Sequence, residues 1–181
     1  MKKLFYAYLF IFLNINLTIN RSTICITPTF VGYILLLMAF RELENESTEF
    51  TRLRPFAIGM AVYTAFCWLL DVFGVGSAST FGTIIIALLG LIGLAVSLYI
   101  LNYVIEGIQD AEELHAANLG SEKLRSVFKV LAVAEIIALV MMVISMLSIP
   151  AMLVSFVAII ILLVRLHATW KAYEALEWRN L

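Results

Sequence analysis

The sequence predicts an all-α membrane protein, a polytopic bundle of about six membrane segments, on the basis of its composition, its apolar runs and its charges. Of the 181 residues, 63% are hydrophobic and only 14% are charged, whereas a soluble domain is roughly half apolar and one quarter charged. The formal net charge of -1, with no basic stretch interleaved with aromatic residues, argues against a nucleic-acid partner. The lipid bilayer is therefore the first predicted partner.

The apolar runs give the segments of a single membrane domain covering residues 1–181. About 20 residues of helix cross a hydrocarbon core of about 30 Å. The predicted segments are approximately 4–19, 28–41, 55–73, 81–105, 127–149 and 150–166. The last two adjoin, and one helix through both would be too long for a single crossing. Since Pro150 has no N–H to donate inside a helix, we expect a tight turn there, with Pro150 opening the last helix.

The basic residues predict the orientation of these segments. Lys and Arg are retained on the cytoplasmic side of a membrane. With six segments and the N-terminus inside, every Lys and Arg except Arg21 falls on that side. The sequence therefore predicts that both termini are cytoplasmic.

Residues 14–27 alternate between polar and apolar side chains, a pattern typical of a strand. A two-residue turn at Asn20-Arg21 would place Leu17 opposite Ile24 and the polar Asn16 opposite Cys25. We therefore predict a short β-hairpin, which at membrane depth must be buried against helices or line a wet cavity. The alternative is that the first helix continues to Ile19 and an external loop follows.

The beginning of the chain resembles a group of bacterial multi-pass membrane proteins to which no activity is assigned. The resemblance lies in "NLTI" and "ICITPTFVGYILLLMAFREL" and covers roughly residues 1–60. It implies a multi-pass protein of the bacterial cytoplasmic (inner) membrane. The group has Asn-Gly at the turn and an acidic residue after the proline, where this chain has Asn20-Arg21 and Thr29. No functional residue is carried over from it.

Two further helical stretches lie outside the membrane segments. Residues 106–126 predict a cytoplasmic helical extension, in which the fourth helix stops at Gly120 and Ser121 caps the next helix. Residues 166–179 place Leu166, Trp170 and Tyr173 on one face, the pattern of an interfacial helix along the headgroups. This helix is predicted to anchor the C-terminus.

A weak internal repeat relates the third and fifth segments. "RLRPFAIGMAV" from Arg52 and "KLRSVFKVLAV" from Lys123 align without gaps and share Leu, Arg, Ala and Val. A real repeat would make the last four segments a duplicated pair of helical hairpins, as in some transporters.

Glu135 is the strongest candidate for a functional residue. It lies about 12 Å into the fifth segment, where an unpaired charge costs several kcal/mol, so the carboxyl must be neutral, paired or in contact with water. Counting depth from the cytoplasmic ends predicts an intramembrane polar pocket around it, with Asn102 nearer the inner mouth. The other predicted members are Tyr33, Tyr63, Thr64 and Ser97. Such a pocket can bind a cation or a proton; alternatively, a protonated Glu135 only ties two helices together or reaches inward to the headgroups.

Chemical signatures are sparse in the rest of the chain. The sequence contains no HExxH, GxSxG, P-loop or GxGxxG motif. Glu112 and His115 share a helix face, but two ligands fall short of a stable metal site, so no metal or cofactor is predicted. These observations favour a non-enzymatic accessory, sensor or scaffold component, with a membrane-protein partner or a second copy, over an enzyme. The alternative is a small transporter or channel that uses Glu135.

Overall fold

The computed structural model describes residues 1–12, 16–19, 22–25, 28–72, 80–141 and 148–179. Most of the described residues are helical. The helices are α1 (Lys2–Phe12), α2 (Thr29–Glu42), α3 (Thr48–Val72), α4 (Thr80–Leu114), α5 (Ser121–Met141) and α6 (Ser148–Arg179). The chain divides into two compact units, residues 2–100 and residues 101–181, the latter joined by Met1.

Two four-residue strands lie between α1 and α2. Strands β1 (Asn16–Ile19) and β2 (Ser22–Cys25) pair antiparallel, with Asn16 opposite Cys25 and Leu17 opposite Ile24. Because α1 ends at Phe12, the first segment is shorter as a helix than the predicted 4–19. The residues that connect the strands, and the side chains of both, lie outside the described part of the chain. A membrane-embedded hairpin over residues 14–27 therefore stays a prediction.

Helices α1, α2 and α3 pack in sequence in the first unit. Tyr8 of α1, Phe40 of α2 and Phe50 of α3 are fully buried, and the rings of Phe40 and Phe50 lie 5.9 Å apart. A Cβ atom on Gly32 would lie 2.8 Å from the carbonyl oxygen of Ala7, so α2 meets the backbone of α1 at the glycine. An ion pair between Lys3 and Glu42 joins the start of α1 to the end of α2.

Helices α5 and α6 pack against each other in the second unit. The residues that are buried on these two helices include Leu131 and Ala134 of α5 and Ala158 and Leu162 of α6. The buried Thr169 hydroxyl near the end of α6 donates a hydrogen bond of 2.9 Å to the carbonyl oxygen of Leu119, just before α5 begins. The two helices are therefore antiparallel.

Three of the described helices are long and apolar enough to cross a membrane. Their membrane-capable stretches are Thr48–Leu70 in α3, Leu88–Leu114 in α4 and Leu153–Leu176 in α6. Large apolar side chains remain exposed on them, for example Val62, Ile92 and Phe156 at 66%, 60% and 60%. Exposed apolar faces of this extent are costly in water and favourable in lipid. The chain is therefore a helical membrane protein.

The ends of α4 and α6 differ from the sequence prediction. Helix α4 ends at Leu114 instead of Gly120, because Ala116 has a positive φ of 46° that breaks the helix. The carbonyl oxygen of Gly120 accepts the first hydrogen bond of α5, from Leu124 at 3.1 Å, so Gly120 and not Ser121 takes the N-cap position.

Helix α6 runs unbroken from Ser148 to Arg179, so the stretch predicted as an interfacial helix continues the last segment. Pro150 lies in its first turn, where no N–H donor is needed.

Candidate functional site

Glu135 lies at the edge of the buried face of α5. Its neighbours on the inner side are Leu131 and Ala134, which are buried, whereas Ile136 is 55% exposed. The Glu135 side chain is about half buried. A carboxyl group in this position lies between the α6 contact and the exposed apolar side of α5.

The partner that faces Glu135 is Ser155 of α6. Ser155 is 7% exposed, and its Oγ atom has no hydrogen-bond partner within the described residues. The two groups interact, therefore, without reaching good hydrogen-bond geometry. A carboxyl and an unsatisfied hydroxyl in apolar surroundings can together hold a proton or coordinate a cation after a small side-chain movement.

Tyr33 and Ser97, two members of the predicted pocket, are in contact. Tyr33 of α2 is 2% exposed, and its hydroxyl hydrogen-bonds to the side chain of Ser97 in α4. This bond joins two helices of the first unit and satisfies a phenol that would otherwise be buried without a partner.

Tyr63 and Thr64 have separate roles on α3. A Cβ atom on Gly93 would lie 3.0 Å from the Tyr63 ring, so α4 approaches that ring closely, beside an apolar cavity of about 310 Å³. The Thr64 hydroxyl donates a 2.7 Å hydrogen bond to the carbonyl oxygen of Met60. This hydroxyl is satisfied within its own helix and needs no ligand.

Asn102 belongs to a polar chain that links α4 and α5. Its amide donates to Oε1 of Glu106 at 3.4 Å, and Arg125 of α5 reaches the same oxygen at 3.5 Å. Asn102 therefore contributes to a helix-to-helix contact in the second unit.

The predicted pocket residues are divided between the two units. Tyr33, Tyr63, Thr64 and Ser97 belong to residues 2–100, whereas Asn102 and Glu135 belong to residues 101–181. The contacts given above for each residue lie within its own unit. A shared pocket around Glu135 stays a prediction.

The sequence analysis missed Ser155 and missed the hydrogen bond that Glu112 forms at the start of α5. Ser155 interrupts the apolar run 151–164, and that interruption was an available signal. Glu112 accepts a hydrogen bond of 3.1 Å from the backbone N–H of Ser121, a contact across the loop that no local pattern encodes. His115 instead packs edge-on against Tyr173, with ring centroids 6.0 Å apart. Within the described ranges, no group of three or more His, Cys, Asp or Glu side chains is positioned to hold a metal ion.

No family model matches this chain, and neither a curated protein nor a solved structure is significantly similar to it.

Proposed function

We propose that this chain is a non-enzymatic component of a membrane assembly, an accessory, sensor or scaffold subunit that binds another membrane protein or a second copy of itself. The observation that supports it most is that several charged side chains form ion pairs within the chain. Lys3 with Glu42, Arg54 with Glu44, and Arg125 with Glu106 join elements of the chain to one another. Such groups stabilise a bundle, while large apolar side chains remain exposed on α3, α4 and α6.

The proposal includes a six-segment topology in a bacterial inner membrane with both termini cytoplasmic. Beyond the three membrane-capable helices, α5 supports this topology, because Val130, Val133 and Ile137 are 58%, 56% and 45% exposed along one side. Helices α1 and α2 have 11 and 14 residues, or about 17 and 21 Å at 1.5 Å per residue. Each helix alone is too short to cross a hydrocarbon core of about 30 Å, and in the proposed topology the residues between the two helices span the remaining depth.

Purification of the tagged protein from its native membranes in a mild detergent tests the assembly directly. We expect an intact mass that corresponds to a fixed number of copies or to a stoichiometric membrane partner. A monomer without a stoichiometric partner would contradict the proposal.

The second candidate is a small transporter or channel, and the observation that favours it is the pair formed by Glu135 and the unsatisfied Ser155 hydroxyl. In liposomes, proton or cation flux through the wild type should be abolished by Glu135→Gln, since Gln keeps hydrogen bonding but cannot carry the charge. Glu174→Gln is the matched control. It removes one carboxylate from an exposed part of α6, away from the pair, and should leave flux unchanged. Absence of flux in the wild type, with normal assembly of Glu135→Gln, would remove this candidate.

A further inference from the structure

A polar groove lies where α4 ends and α5 begins. Its volume is about 650 Å³. Carboxylates line it from both helices, Glu112 and Glu113 from α4 and Glu122 from α5, and its cations are Lys123, Arg125 and Lys129 of α5. Acidic and basic side chains are therefore present in equal number, and the groove has no formal net charge.

The charges on α5 follow a definite order along one face. Glu122, Arg125, Ser126 and Lys129 fall on the same side of a helix with 3.6 residues per turn. Lys129 lies about 10 Å further along the axis than Glu122, at 1.5 Å per residue. The order along the face is thus carboxylate first, then cations and a hydroxyl.

The same face becomes apolar immediately beyond Lys129. Val133 and Ile136 continue it, 56% and 55% exposed. Helix α5 therefore carries, on one continuous surface, a carboxylate, a pair of cations and a lipid-facing apolar stripe.

Part of the charge in the groove is already used. Glu112 accepts a hydrogen bond of 3.1 Å from the N–H of Ser121. Arg125 forms an ion pair with Glu106, with 3.5 Å between its guanidinium nitrogen and Oε1 of the glutamate. Within the described residues, Glu122 and Lys129 form no ion pair, and both are exposed. The two ends of the ordered face are therefore open to a ligand.

We propose that this groove binds the headgroup of a zwitterionic phospholipid that carries a primary amine. Such a lipid presents an ammonium, then a phosphate, then acyl chains, which is the order that complements Glu122, then Arg125 and Lys129, then the apolar stripe. The phosphate is held by the cations, and the ammonium donates to the Glu122 carboxylate. The Ser126 hydroxyl takes no part, because it donates to the backbone carbonyl oxygen of Glu122 at 3.0 Å. Equal numbers of carboxylates and cations favour this lipid over an anionic one, and the adjoining apolar stripe favours a lipid over a free phosphate.

Native mass spectrometry of the full-length protein in detergent, with phosphatidylethanolamine, phosphatidylglycerol and phosphatidylcholine of identical acyl chains, tests the proposal. A charge near a headgroup changes affinity by about fivefold. We expect phosphatidylethanolamine to bind about fivefold more tightly than the other two. Lys129→Gln should weaken its binding by a similar factor, and Glu122→Lys should transfer the preference to phosphatidylglycerol.

Lys171→Gln is the matched control, because it removes an exposed lysine of α6 outside the groove and should leave the preference unchanged. Equal binding of the three lipids, or a wild-type preference for phosphatidylglycerol, would overturn the proposal. So would an unchanged preference in folded Glu122→Lys, or unchanged binding in Lys129→Gln if the first variant does not fold.

Discussion

Two connections of the chain, one between α2 and α3 and one between α4 and α5, differ in the group that accepts a backbone N–H at the start of the following helix. In the first connection, residues 43–47, the Ser47 hydroxyl accepts the N–H of Glu49 at 3.1 Å. In the second connection, residues 115–120, the N–H of Ser121 donates to Glu112, a side chain of the preceding helix, also at 3.1 Å. The first is closed by its own residues, and the second depends on α4.

The difference is informative because related sequences follow the two connections. The stretches "RLR" from Arg52 and "KLR" from Lys123 follow them, and Leu53 and Leu124 are 1% and 0% exposed. Arg54 pairs with Glu44, ten residues earlier, whereas Arg125 reaches back to Glu106 on α4. The Arg54–Glu44 ion pair therefore spans ten residues of sequence at the first connection, whereas the Arg125–Glu106 ion pair spans nineteen at the second, where the groove lies.

The largest expected effects come from the leucine that anchors each connection. Leu43 and Leu119 are 2% and 3% exposed, and Leu→Ala at a buried site lowers the free energy of unfolding by about 2–5 kcal/mol. We expect Leu119→Ala to fall at the lower end of this range, because the groove gives the surrounding chain room to relax. Denaturant titration in detergent micelles measures both variants.

Leu114→Ala is the control for this pair, since Leu114 is 63% exposed and should change stability little. If Leu119→Ala were as mild as Leu114→Ala, the second connection would not be anchored as described.

A smaller effect is expected at the contact between α1 and α2, which precedes the first connection. Gly32→Ala would place Cβ 2.6 Å from Ile11 Cγ1 and 2.8 Å from the Ala7 carbonyl oxygen. The helices must then separate, at about 1–3 kcal/mol. Gly59→Ala is the matched control, because nothing lies within 4 Å of its Cβ position, and a helical Gly→Ala change there should stabilise by up to about 1 kcal/mol. Equal melting temperatures for the two variants would contradict the close contact.

The capping groups give the most direct contrast between the connections. Ser47→Ala and Glu112→Ala should each lower the free energy of unfolding by about 1 kcal/mol, the usual effect of losing a helix cap. Amide hydrogen exchange distinguishes them: the first variant should accelerate exchange at Glu49, and the second at Ser121. Faster exchange at Ser121 in Ser47→Ala would show that the two connections are not independently capped.

The smallest effects are expected for the arginines. Both ion pairs are partly exposed, so Arg54→Gln and Arg125→Gln should each lower stability by at most about 1 kcal/mol, and less at high salt. The effect of Arg125→Gln should be the smaller one, since its nitrogen lies 3.5 Å from the Glu106 oxygen. Measuring the free energy of unfolding at low and high ionic strength separates the ion-pair contribution from the effect of lost packing, because salt screens only the former.

The sequence predicted the parts of the fold that depend on length and local chemistry. Apolar runs indicated the membrane-capable helices, and the missing N–H of Pro150 predicted that the last helix opens at that residue, which lies in the first turn of α6. The end of α4 was wrong by six residues, from Gly120 to Leu114, because the positive φ of Ala116 has no signature in residue type. The continuity of α6 was also missed, since an amphipathic end does not reveal whether the helix bends.

The sequence predicted a set of residues for the candidate site but not the contacts among them. Matching depth named Tyr33 and Ser97, which are in contact. It did not name Ser155, the side chain that faces Glu135, because periodicity assigns residues to faces but does not determine which faces meet. The cap from Glu112 was missed for the same reason.

The proposed six-segment topology places both connections on the cytoplasmic side of the membrane, and single-cysteine labelling tests this proposal most directly. Asn45→Cys and Asn118→Cys replace exposed residues of the two connections, in a chain whose Cys25 and Cys67 are changed to Ser. A membrane-impermeant maleimide should label both in inverted membrane vesicles and neither in intact cells. Labelling of one position from outside and the other from inside would contradict the six-segment account.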